Sequence, residues 1–144
     1  MTKIKFRYYT LAVRFMLILL FFYAATSKAA IFPEFLNQLT ESPIIPSYLT
    51  FFIGIIIIAS ELIICVLLFS EKYSYWGLLF SYSLMLFFTL YLFYLVKMAS
   101  TVPCACGGIL GNLSHSQHLL FNLIILVTII PTLSKSRIFL KTDI

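Results

Sequence analysis

Four apolar stretches, each about twenty residues long and set apart by short polar breaks, constrain this chain more than any other feature. They run over about 11–30, 48–69, 75–96 and 115–134. A helix rises 1.5 Å per residue, so twenty residues reach about 30 Å, the hydrocarbon thickness of one bilayer. Only 10% of the 144 residues are charged and 62% are hydrophobic, with a mean hydropathy of +1.05. A soluble domain carries about 25% charge, and a soluble fold this small could not hide so much apolar surface. The expected class is therefore an all-α, integral membrane four-helix bundle, folded as a single membrane domain over residues 1–144. The first stretch also has features of a cleaved signal peptide: a basic start, an apolar run and the small pair Ala29-Ala30. Its apolar run is long for that role.

The polar breaks set the expected topology. Residues 31–47 contain Pro33, Pro43, Pro46, Glu34 and Glu41. They read as an external loop with a short interfacial helix at Glu34 to Leu39. Ser70-Glu71-Lys72 is a tight turn, and residues 97–114 form a second external loop. Ser114 followed by Gln117 fits a capping box that starts the fourth helix. Of the ten Lys and Arg residues, eight fall on the N-terminal segment through Arg14, the Lys72 turn and the C-terminal tail. Lys28 and Lys97 fall on the other side. The positive-inside rule then puts both termini in the cytoplasm. The net charge of +5 is topological in this reading. No interleaved basic and aromatic patch points to nucleic acid.

The loop at 97–114 carries the candidate chemistry. Its centre is Pro103-Cys104-Ala105-Cys106-Gly107-Gly108. On the outer side, in the periplasm of a Gram-negative cell, disulfides form and persist. Two cysteines at i and i+2 bridge only if the chain turns, because a disulfide needs Cβ atoms about 3.5–4.5 Å apart. Gly107 and Gly108 permit that turn and Pro103 stiffens its approach. So small a ring favours exchange over permanent cross-linking. The positive N-terminus of the fourth helix, with His115 and His118 in its first turn, would stabilise a thiolate. His118 and Asn122 are four apart on one helix face and suited to hydrogen-bond a thiolate or a quinone carbonyl. Three alternatives stay open: a structural disulfide, a non-catalytic membrane assembly subunit, and a zinc site of Cys104, Cys106, His115 and His118. Cys65, in mid-span, reads as a small packing residue.

Two charges inside the apolar stretches need partners. Glu61 lies about 12 Å from the inner end of the second span, where a lone carboxylate is costly. Arg14 enters from the same side, so an Arg14–Glu61 pair is expected. Lys28, near the end of the first span, is expected to snorkel to the outer interface.

Arg14, Phe22-Tyr23-Ala24-Ala25-Thr26-Ser27-Lys28 and Glu61 together resemble the MauE/DoxX family of small four-helix membrane proteins. The Pro103–Gly108 segment resembles the cysteine loop of the MauE branch. Gln117-His118-Leu119-Leu120-Phe121-Asn122 is similar to the fourth helix of Bacteroidota-type members. The resemblance implies a redox-associated protein of the inner membrane that works with a periplasmic thioredoxin-like protein, as MauE does in maturing a disulfide-rich methylamine dehydrogenase. It implies a bundle similar to vitamin K epoxide reductase and DsbB-type proteins. No cofactor is required by this reading, and it leaves room for a quinone.

Overall fold

The computed structural model describes residues 2–42, 44–98 and 115–142. Among them every regular element is helical: α1 (Thr2–Ala30), α2 (Phe32–Thr40), α3 (Thr50–Phe69), α4 (Ser74–Met98) and α5 (His115–Thr142), with a 3-10 turn at Ser47–Leu49 before α3. Four of these helices are long and apolar enough to cross a membrane: Ile4–Ala30, Ser47–Phe69, Ser74–Tyr94 and Ser116–Ser134. The short α2 begins with a proline in its first turn, where the missing N–H costs nothing. It buries Phe35 and Leu39. Helix α1 packs chiefly on α3, α3 on α4, and α4 on α5.

The polarity of the bundle suits a lipid solvent. Outward-facing residues include Phe22, Phe52, Ile63, Val66, Phe87 and Val127, all exposed. Buried among the core leucines and phenylalanines are Lys28, Glu61, Ser81, Thr89, His118 and Asn122. Lipid tails are as apolar as leucine, so burying leucine gains little there. Close packing and internal polar contacts must hold the helices together. Ser81 and Thr89 return their hydroxyl protons to carbonyls one turn back, Gly77 O at 2.7 Å and Met85 O at 2.6 Å. Cys65 is half-buried against the core, with Sγ 3.6 Å from Ile18 O.

Side chains of α1 reach backbone carbonyls of other helices across the bundle. The last carbonyls of α3 have no partner within their own helix. Arg14 of α1 donates to Leu68 O through Nε at 3.0 Å. Pro131 interrupts the hydrogen-bond ladder of α5. The carbonyl it leaves without a helical donor is that of Val127; the next one, Thr128 O, accepts from the Tyr9 hydroxyl of α1 at 3.0 Å. Glycine permits two close approaches. A Cβ on Gly77 would lie 2.9 Å from Leu68 N and 3.1 Å from Leu67 C, both backbone atoms of α3. A Cβ on Gly54 would meet the end of the Leu36 side chain, also at 2.9 Å. Backbone cannot move aside as a leucine methyl can. Gly77→Ala should therefore cost about 2 kcal/mol, and Gly54→Ala should cost well under half as much. Detergent-titrated unfolding of the two variants checks that order.

Candidate functional site

Helix direction decides which charges meet. In an α-helix every Cα–Cβ bond tilts toward the N-terminus, and long side chains follow it. Helix α3 runs antiparallel to α1, so Glu61 lies between the levels of Arg14 and Lys28. Arg14 leans toward the start of α1, away from Glu61, and reaches the end of α3. Lys28 leans back into the bundle, toward Glu61. Its Nζ donates to Glu61 Oε1 at 2.7 Å. The same nitrogen lies 3.5 Å from Ala24 O and 5.8 Å from the centroid of the Phe88 ring.

The expected Arg14–Glu61 pair is thus corrected. Arg14 is bound to Leu68 O, seven residues or about 10 Å from Glu61 along α3. The expected snorkelling of Lys28 is corrected as well. Lys28 is 4% exposed and Glu61 1%, so both lie inside the protein. The family-like run ending in Lys28 was a sequence signal for its importance. The signal for its partner was the helix direction, which spacing along the chain leaves out. Glu61 Oε2 is also buried and has no hydrogen-bond partner among the described residues.

The ion pair forms part of the wall of a cavity of about 500 Å³ lined by all five helices. Most of that wall is apolar: Phe21 from α1, Phe35 from α2, Ile57 from α3, Phe88 from α4 and Phe121 from α5. Helix α2 contributes Phe35 and Leu39, so the short helix covers one part of the space. His118 and Asn122, one turn apart on α5, also line it, and each is 4% exposed. The structure therefore brings Lys28, Glu61, His118 and Asn122 to one cavity, with Arg14 outside its lining. Cys104, Cys106, Pro103, Gly107 and Gly108 lie outside the described residues, as does the side chain of His115. So do Ser114 of the expected capping box and most of the zinc set. The last turns of α4, at Tyr91 and Leu92, and the first turns of α5 border the cavity on either side of the cysteine segment in sequence.

Taken together, these features define a small, multi-pass, all-helical membrane protein with a buried ion pair beside an apolar cavity between its helices. The family model described as "Methylamine utilisation protein MauE" matches residues 6–134, nearly the whole chain. The chain belongs to the MauE family. No curated protein and no solved structure matches it.

The ion pair generates a prediction. Removing one partner of a buried pair strands the other charge and costs about 3 kcal/mol or more. Replacing both by apolar residues removes that penalty. Lys28→Met alone should lower stability by about 3 kcal/mol, and adding Glu61→Leu should restore most of the loss. Detergent-titrated unfolding of the single and double variants checks it. Additive losses would mean that the two charges do not depend on each other.

Proposed function

We propose that this protein is a thiol–disulfide redox component of the bacterial inner membrane. In this reading both termini are cytoplasmic, and Cys104 and Cys106 exchange electrons with a periplasmic thioredoxin-like protein. The observation that carries the reading is the start of α5. That helix begins at His115, nine residues after Cys106, and buries His118 one turn inside. Its N-terminal N–H groups carry partial positive charge, which favours a nearby thiolate. Membership of the MauE family supports the same reading, as does the asymmetry of the basic residues.

The exchange is balanced in either direction. One thiolate of the reduced pair attacks a sulfur of the partner's disulfide. That S–S bond breaks, a mixed disulfide forms and the partner keeps one thiolate. The second cysteine then attacks the mixed disulfide. The products are a Cys104–Cys106 disulfide and the partner's dithiol, with two electrons and two protons passed to the partner. The reverse sequence oxidises the partner.

The test is trapping. If the pair works this way, replacing the resolving cysteine with serine should halt the sequence at the mixed disulfide. One of Cys104→Ser and Cys106→Ser should then accumulate a covalent adduct with a periplasmic thioredoxin-fold protein on non-reducing gels. Both variants should lose exchange. Exchange unchanged in both variants would refute the proposal.

A further inference from the structure

The cavity holds an unused polar group. Asn122 is 4% exposed, and its side chain lines the cavity wall. No hydrogen bond joins its amide to another described residue, and its polar atoms are open to the cavity. A buried amide without a partner costs roughly 1–3 kcal/mol, so a group inside the cavity that bonds to it is favoured. That amide offers two N–H donors and one carbonyl acceptor.

The rest of the wall limits what that group belongs to. Most of the lining is aromatic and aliphatic. Its two opposite charges, Lys28 and Glu61, are already bound to each other at 2.7 Å. An anionic head would have to compete with Glu61 for Lys28, and a cationic head with Lys28 for Glu61. Neither charged head gains net charge complementarity. A volume of about 500 Å³ lies in the ordinary range for small-molecule sites. Four of the helices that line it are candidate membrane spans, so a ligand from the bilayer has the required polarity.

We infer that the cavity is a binding site for a neutral, membrane-soluble amphiphile, whose hydroxyl or carbonyl head bonds to the Asn122 amide while its apolar body fills the aromatic-lined space. The site does not depend on the thiol chemistry proposed above. It is therefore tested in the full chain carrying Cys104→Ser and Cys106→Ser, so that the two readings fail separately.

The experiment titrates three twelve-carbon probes into that protein in nanodiscs: 1-dodecanol, dodecane and dodecanoate. It follows the ¹⁵N side-chain amide signal that disappears in Asn122→Leu. The expected result is a saturable, one-to-one shift with 1-dodecanol, about tenfold tighter than dodecane and tighter than dodecanoate. Asn122→Leu should abolish the preference for the alcohol over dodecane, read by competition against a labelled probe. Monoolein and a decyl hydroquinone then separate a glyceride from an aromatic carrier as the natural source, since both carry the required hydroxyl head. Equal binding of dodecane and dodecanol would overturn the inference, because the cavity would then be only a greasy void. Tightest binding of dodecanoate would overturn it in favour of an anion site on Lys28. Absence of any saturable shift would overturn it outright. The order of the three probes is also read by competition against the labelled probe on a single protein, so it stands even if Asn122→Leu does not fold.

Discussion

A carboxylate buried inside a membrane bundle must be neutralised where it sits, and much of this structure follows from how that is done. Glu61 receives its cation from the far end of α1, because Lys28 points back down its own helix. The contact joins residues 33 apart in sequence and fixes the register of α1 against α3. With Arg14 bound to the last turn of α3, the two helices are held at two levels. A slide of one helical turn, about 5.4 Å, would break both contacts at once. Burial of leucine offers no comparable penalty in lipid, where the displaced solvent is itself hydrocarbon.

The same pair shapes the cavity. Lys28 lies over the Phe88 ring and against the Ala24 carbonyl, so its charge is spent inside the wall. What remains open is mostly apolar, with His118 and Asn122 as polar groups from α5. Helix α2 packs on α3 above Gly54, where Leu36, Phe35 and Phe32 crowd the missing side chain. A small residue on α3 thus helps a short amphipathic helix close over a space that four spans alone would leave less covered.

The fold class was legible in the chain because hydrophobic length is a local property, and four runs of sufficient length have few other uses. The short helix after α1 was expected at Glu34 to Leu39 and runs over Phe32–Thr40; Pro33 sits in its first turn, and Phe35 and Leu39, four apart on one face, are buried. The partner of Glu61 was misread, because spacing gives a residue's height along a helix while side-chain direction decides which neighbour it reaches. Arg14 and Lys28 both had plausible heights, and only one leans toward Glu61. The inward placement of His118 and Asn122 followed from the cost of a polar side chain facing lipid. The cavity between them was not legible. It arises from how five helices fail to fill a common space, which no single segment encodes. The cysteine pair rests on sequence chemistry and family membership.

The central claim is that Glu61 is neutralised from Lys28 and not from Arg14. Solid-state NMR in lipid bilayers can read this directly, with ¹⁵N at lysine Nζ and arginine side-chain nitrogens and ¹³C at glutamate Cδ. The account predicts a strong lysine–glutamate dipolar coupling that vanishes in Lys28→Met and survives in Arg14→Met. A Glu61 coupling to arginine nitrogen, or a lysine coupling that survives the loss of Lys28, would contradict it.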